Sequence, residues 1–541
     1  MWKFLSYFED VPKRIYVIGV LVSCIPILVM LFCHLTRPLG WHFNWELQSD
    51  QYVYAGNARA IIERGNGFAY PNPYDSNSNT PVIYSYLFSL LVAYTWKFTH
   101  LPIMLSYIPL RIIFGTLLTV SIWKIIHVLF KDQDIRYGCF YCLLFGGGTA
   151  GIISLFYALA GQIKFSQLFI CSKYLEGAAT WCFVDLFRNY FYATEIIYHL
   201  MFFVTLWCVF KAYWRTSLFF FALTLYAHPY NGLQLAFTYL LFLFLSLFIE
   251  NKKDRPQYLR TFIAACVLFI FFLYYNLFWM ACFPESAKIS KINAALRYII
   301  HLPGLIMGCG IWFFVGIFAV IRYYKQFVVS KNWRLIVCLF LATFVLMYHH
   351  VLITKIIQPA HFSRGYPFFC LVLFTFYLIQ ENDFLHRVFA GLSKNVVIGA
   401  FMIMFVSFDN ICFLPVAYRT DTPALRYMPH SEKEVMDFLE NRKEQDVVAV
   451  NNYLFGYLVP VLTHQRAEIS YAFLTPDFTL KRILLARLIQ YGDPEFLLRF
   501  KNTNVIILTK KENGLVIKYD FFKKWNKLYE NKDYFVYLIH A

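Results

Sequence analysis

Apolar residues run along this 541-residue chain in long blocks separated by short polar joints. A helix needs about twenty consecutive apolar residues to cross the hydrocarbon of a bilayer. Blocks of that kind lie near 15–35, 107–130, 137–159, 195–214, 258–283, 302–321, 334–354, 365–380 and 395–414, with a double-length block at 216–249. The pattern predicts an α-helical polytopic membrane protein with about eleven transmembrane helices over residues 1–414. Two long polar segments interrupt it, 36–106 and 161–194. In the first, Tyr52 to Ile62 reads as a short amphipathic helix ending at Gly65, and Pro71, Pro73 and Asp75–Asn79 read as turns.

Past Leu414 the pattern changes to short alternating runs. Residues 415–541 read as a soluble C-terminal α/β domain, with strands at Asp446–Val450, Asn504–Leu508 and Asp533–His540 and a helix at Phe478–Ile489. Ser431 and Glu434 have the spacing of a capping box before Val435 and Phe438. The tail holds no Gly-rich phosphate loop, no zinc-ligand spacing and no nucleophile elbow.

Composition strengthens the membrane reading. Hydrophobic residues make up 59% of the chain and charged ones 15%, against roughly 25% charged in soluble domains. The net charge of +17 does not point to nucleic acid, because the cations sit in short joints between apolar blocks. Such joints face the cytoplasm. Lys124/Lys131/Arg136, Lys211/Arg215, Lys252/Lys253/Arg255, Arg322/Lys325/Lys331/Arg334 and His386/Arg387/Lys394 all fall on that side if the apolar run 82–98 lies at the membrane surface or re-enters it. The N-terminus is then cytoplasmic, and 36–106, 161–194 and the tail lie outside. The run Ile15–Leu35 follows Lys13 and Arg14 and is a retained anchor rather than a cleaved leader.

Of thirteen Cys, nearly all sit in apolar runs, where a thiol is a small hydrophobe. Cys139 and Cys142 have CxxC spacing, but their setting argues against metal or redox chemistry. Cys171 and Cys182 share the second outer loop and are candidates for a disulfide. The Cys-free tail and the absence of a eukaryotic sorting signal point to a bacterial inner membrane.

The first outer loop carries the most informative chemistry. Glu46, Asp50, Tyr52 and Tyr54 follow the first span closely, in a Trp- and Phe-rich stretch. A carboxylate against apolar walls is suited to take a proton. The competing reading is that Ser49 or Asp50 caps the helix that follows. In the second loop, Glu176, Asp185 and Glu195 are the available acids. His228-Pro229-Tyr230-Asn231-Gly232 breaks the double-length block, either as a cavity-lining segment with His228 at work or as a tight turn between helices. Lys355, Gln358, His361 and Arg364 crowd one late outer loop, just after His349 and His350. Such a set suits a lipid phosphate; the alternative is headgroup contact alone.

The layout resembles the GT-C class of glycosyltransferases, multispan enzymes that use polyprenyl-phosphate sugars. The stretch from Pro81-Val-Ile-Tyr84 to Pro109-Leu-Arg111-Ile-Ile-Phe-Gly115, with Lys124 and Lys131 ending the span, resembles the protein O-mannosyltransferase and aminoarabinose-transferase branch. The resemblance implies an acid soon after the first span as catalytic residue, here Asp50, with Glu46 as its neighbour. It implies substrate-binding roles for Arg111, for Lys355, Gln358, His361 and Arg364 on the late loop, and for a second-loop acid, Glu176 or Asp185; Tyr52 and His228 are further substrate-binding candidates from their own settings. The family's acid commonly stands as Asp-Glu or Asp-x-Asp. This chain has Ser49-Asp50 instead, which leaves use of a divalent metal open. The reaction implied is inverting transfer of a sugar from a polyprenyl phosphate to a glycan, lipid or protein acceptor. A lipid-linked glycan polymerase or ligase, and a transporter or flippase, stand as alternatives; a flippase should show deep charges and repeated halves.

Overall fold

The computed structural model describes residues 10–47, 49–76, 81–82, 87–177, 185–285, 287–289, 298–351, 353, 358–394, 406–415, 426–470, 472, 474–510 and 519–539. Lys355, Cys182 with its expected disulfide, and most of the expected span at 395–414 lie outside the described residues. The fold is mostly helical. Among the described residues, seven helices are long and apolar enough to cross a membrane: Lys13–Leu35, Ile103–Leu129, Ala193–Phe210, Pro229–Ile249, Arg255–Cys282, Ile311–Val329 and Pro359–Glu381. An eighth crossing is available if Gln133–Phe145 and Ala150–Leu159, bent by 68°, act as one.

That bend differs from the unbroken helix expected at 137–159. Its cause lies at Gly146-Gly147-Gly148: Gly146 still donates to the Cys142 carbonyl, but Gly147 donates to the Val406 carbonyl and Gly148 to a side chain, both outside the helix. Gly148 and Gly151 donate their N–H groups to the Asp409 carboxylate at 3.1 and 2.8 Å. A Cβ on Gly148 would lie 2.0 Å from the Met307 carbonyl oxygen, so only glycine fits. The expected span at 302–321 is likewise two helices, Leu302–Cys309 and Ile311–Val329, parted at Gly310 with φ +57°. The double block divides into Trp214–Ala227 and Pro229–Ile249. The run 82–98 forms Leu87–Thr99. At 1.5 Å per residue its length is about 20 Å, short of the roughly 30 Å hydrocarbon core.

The chain divides into two compact units. One comprises 1–27, 109–273 and 297–419; the other comprises 28–108, 274–296 and 420–541. The first is the larger helical body. Its centre is aromatic, with Phe202, Phe203, Tyr366 and Phe369 packed ring on ring.

The second unit joins the 36–106 segment to the C-terminal tail. Among the described residues nine strands occur, all in this unit: β1 (Trp41–Phe43), β2 (Tyr70–Pro71), β3 (Pro81–Val82), β4 (Tyr427–Pro429), β5 (Val447–Val450), β6 (Arg466–Ala467), β7 (Val505–Thr509), β8 (Asn526–Glu530) and β9 (Tyr534–Leu538). The main sheet has the order β6-β5-β7-β9-β8. Strand β5 runs parallel to β6 and β7, and β9 runs antiparallel to β7 and β8. The helix Phe478–Tyr491 buries Leu484, Leu485 and Leu488 in a core with Ile506 and Leu508.

β1 pairs antiparallel with β4, and β2 with β3. Arg64 donates to the carbonyls of His464 and Gln465 at 2.6 and 2.7 Å, and the Ala467 N–H donates to the Pro73 carbonyl at 2.9 Å. Buried Lys481 pairs with both Asp75 and Glu468, at 3.3 and 2.6 Å. Ser431 and Glu434 do not form the expected capping box. The helix His430–Glu440 starts two residues earlier than that box requires, with Pro429 at its N-cap in place of Ser431. Ser431 Oγ donates instead to Asp533 at 2.7 Å, and Glu434 accepts from Asn531 Nδ2 at 2.9 Å, so both side chains hold the β8–β9 turn.

Candidate functional site

In the helical unit, the residues of the late loop converge with the start of Ala193–Phe210. Arg111, buried in the span Ile103–Leu129, donates Nη1 to the carbonyls of Tyr190 and Phe191 at 3.0 and 2.9 Å, which fixes the turn into that helix. Glu195 then falls in its first turn, where the helix dipole favours negative charge. Its carboxylate receives the Arg364 guanidinium. A second Arg364 nitrogen meets His361 Nδ1. One turn along, His199 places both ring nitrogens against backbone carbonyls, Arg364 O at 2.6 Å and Glu195 O at 2.7 Å. A neutral ring donates to one of them and a protonated ring to both; donation from Nε2 ties the Arg364 backbone to this helix.

Arg364 has φ +26° and Gln358 has φ +32°, left-handed values that side-chain-bearing residues rarely adopt. Strain of this kind persists only where the surroundings over-determine it. Pro359 and Gly365 help: each stands at the start of the helical segment that follows Gln358 or Arg364. His361 stacks on Tyr230, ring centroids 4.4 Å apart, and lies 6.1 Å from His228. His228 in turn packs on Tyr198 at 4.6 Å. The break at His228 also has a structural account. Pro229 opens the next helix, His228 is its N-cap, and a Cβ on Gly232 would press on Leu225 at 2.7 Å. The unit thus brings Arg364, His361 and His228 together with Glu195 and His199. His199 gave no sequence signal, since a lone His in an apolar run reads as core. Glu195 is among the second-loop acids, but the substrate-binding role was expected of Glu176 or Asp185.

Glu176 and Asp185 go to a different place in the same unit. Both are fully buried around Arg188. Arg188 Nη1 and Nη2 reach the two Glu176 oxygens at 2.6 and 2.9 Å, and Nη2 also reaches Asp409 Oδ2 at 2.6 Å. Asp409 takes further bonds from Ser172 and the two glycine amides. Asp185 lies 3.2 Å from Arg188 Nη2, and neither of its oxygens makes a hydrogen bond among the described residues. Three carboxylates face one guanidinium. Burial, opposed only in part by Arg188, pushes Asp185 up to about 8 and raises Glu176 as well. Asp185, with the poorest contact, therefore keeps its proton at neutral pH.

That has a stability consequence. An unfolded Asp titrates near 3.9. Between about pH 4 and 8 the folded chain holds a proton that the unfolded chain releases, so this group's contribution is full below pH 4 and is lost as pH rises through about 8. Asp185→Asn should flatten the dependence of melting temperature on pH between 5 and 8. An unchanged slope in thermal unfolding of the variant would assign the titration elsewhere.

In the loop–tail unit, Glu46 is fully buried and Tyr52 nearly so. Glu46 Oε1 accepts from the Leu47 N–H at 2.9 Å, and the Tyr52 hydroxyl donates to the Glu46 carbonyl at 3.2 Å. Trp45, just before, has φ +57°. Asp50 is partly exposed on the first turn of Ser49–Glu63. Its charge is felt by Tyr457, whose hydroxyl is raised by burial first and by Asp50 second. Tyr107 donates to the Gln51 carbonyl at 2.5 Å and pins the same turn. Among the described residues, no group of three or more His, Cys, Asp or Glu side chains is arranged to hold a metal ion.

No family model matches the chain, and no curated protein matches it. Among solved structures it is similar to the crystal structure of ArnT from Cupriavidus metallidurans bound to undecaprenyl phosphate, at 9% identity and a TM-score of 0.45, covering 96% of this chain and 97% of that one. Likeness at that level assigns neither a family nor the role of any residue.

Proposed function

We propose that this chain is an inverting glycosyltransferase of the GT-C kind, which moves a sugar from a polyprenyl-phosphate carrier to an acceptor hydroxyl on the extracytoplasmic face. The observation that carries the reading is the Glu195–Arg364–His361 group. A guanidinium and an imidazole are held together at the start of membrane-length helices, with Arg364 in a left-handed backbone conformation. A planar fork beside imidazole donors is what a departing phosphate needs.

In this reading the acceptor oxygen attacks the anomeric carbon while the bond from that carbon to the carrier's phosphate oxygen breaks. The phosphate leaves with the bonding electrons, and Arg364, His361 and His228 stabilise its charge. Lys355, Gln358 and Tyr52 contribute to binding. The acceptor's proton passes to Asp50, with Glu46 shaping the turn that presents it. One displacement inverts the anomeric centre. The topology that goes with this has about eleven spans, a cytoplasmic N-terminus and an outer tail, in a bacterial inner membrane.

The test is transfer of radiolabelled sugar from a panel of polyprenyl-phosphate sugars by the purified chain. Transfer from at least one donor, lost in Arg364→Gln together with donor affinity, is the expected result. Absence of transfer from every donor, alongside lipid or solute flux in proteoliposomes, would overturn it in favour of a transporter.

A further inference from the structure

A pocket of about 340 Å³ opens in the loop–tail unit, and none of the residues assigned above lines it. It is lined by Pro38, Trp41, Tyr427, Pro429, Phe455, Glu432 and Asn452. The β1–β4 pairing builds it, because Trp41 stands opposite Pro429 in register and brings the two walls together. Trp41 keeps 37% of its surface exposed although it lies in a strand.

The two polar groups are not used up by the fold. Glu432 is only 8% exposed. One of its oxygens, Oε1, accepts from the Tyr534 hydroxyl at 2.6 Å. The other makes no hydrogen bond among the described residues. Asn452 spends its Oδ1 on the Leu454 N–H at 3.1 Å, and its Nδ2 has no partner among the described residues. The pocket thus offers one oxygen and one N–H beside flat aromatic faces. Burial raises the Glu432 carboxyl to about 7, so at neutral pH this oxygen serves as acceptor in one form and donor in the other.

An aliphatic ligand would leave both polar groups desolvated without partners, which costs about 1–3 kcal/mol each. A cation would find a carboxyl that is protonated about half the time at neutral pH. A ring with one apolar C–H face and vicinal hydroxyls on its edge satisfies all the groups at once. We propose that this pocket is a binding subsite for a neutral saccharide ring, seated on Trp41 and bridged by its hydroxyls to Glu432 and Asn452. The proposal stands whether or not the chain transfers sugars.

The test is saturation-transfer NMR on the full chain in lipid nanodiscs, which avoid the competing sugar of a maltoside detergent. The probes are the methyl glycosides of glucose, galactose, mannose, rhamnose and N-acetylglucosamine. At least one should bind, with the strongest transfer to protons of a single ring face. Trp41→Ala and Asn452→Ala should each weaken that binding at least tenfold, and Trp41→Phe, which keeps a ring and guards against loss of the β1–β4 pairing, should retain most of it. Arg364→Gln should leave it unchanged, which separates this subsite from the transfer reading. Binding of none of the five, or equal binding by wild type, Trp41→Ala and Asn452→Ala, would overturn the assignment.

Discussion

Asp50→Asn is expected to lower sugar transfer by about 10²–10⁴-fold, the usual worth of a positioned general base, while affinity for the polyprenyl-phosphate donor stays within about twofold. The substitution is informative because of where Asp50 stands. It occupies the first turn of Ser49–Glu63, so a role in starting that helix competes with a role in catalysis. Asn starts helices about as well as Asp, and loss of the charge at an exposed helix start costs only about 0.3–1 kcal/mol. If Asp50 only starts the helix, the variant should therefore fold and work almost as wild type. If Asp50 takes the acceptor's proton, the amide cannot replace it, and turnover collapses with the fold intact. Measuring donor affinity and melting temperature beside single-turnover transfer separates the two. Glu46→Gln should behave differently. Glu46 is buried and its carboxylate accepts from the backbone of its own turn, so that variant should lose stability before it loses turnover. Equal transfer by wild type and Asp50→Asn would move the base off Asp50.

What the sequence revealed follows the strength of its periodicities. Long apolar blocks have no competing solution, and Lys13–Leu35, Ala193–Phe210 and Arg255–Cys282 appear close to their expected bounds. The tail's interior strands were legible for the same reason: β5 and β7 are continuous apolar runs, as strands covered on both faces must be. The exposed edge strand β8, Asn-Lys-Leu-Tyr-Glu, was not. Charged edge residues guard against pairing with other chains and erase the strand signal at the same time. The bend at Gly146–Gly148 was invisible because the partner that compensates it, Asp409, lies 261 residues away in sequence from Gly148.

The candidate site was partly legible. Arg364 and His361 stood out because cations on an outer loop run against the positive-inside bias. Glu195 and His199 did not, since nothing local marks the carboxylate that will meet an arginine 169 residues later. The two second-loop acids that sequence favoured, Glu176 and Asp185, turn inward to Arg188 instead. Their choice over Glu195 had no physical basis before the pairing partners were known.

Arg188→Met should be the most destabilising single change in the helical unit. The guanidinium is wholly buried and serves Glu176, Asp409 and Asn410 at once, with Asp185 within ion-pair distance. Methionine can fill much of the volume but offers no N–H. Three buried carboxyls are then left with no cation among the contacts just named, a loss of about 3–5 kcal/mol for a broken buried pair. The cost should depend on pH in a definite direction. At low pH Glu176 and Asp185, both raised by burial, hold their protons in the variant, so less is lost. As pH rises each must either hold a proton against solution or ionise in a dry site, so the penalty grows towards pH 8. The measurement is thermal unfolding of wild type and Arg188→Met at pH 5 and pH 8, with the fraction of monodisperse protein recorded beside it. Adding Glu176→Gln and Asp409→Asn to Arg188→Met should restore part of the stability at pH 8, because a neutral network no longer needs the cation. A melting temperature for Arg188→Met equal to wild type at pH 8 would mean that the four side chains are not an interdependent buried network.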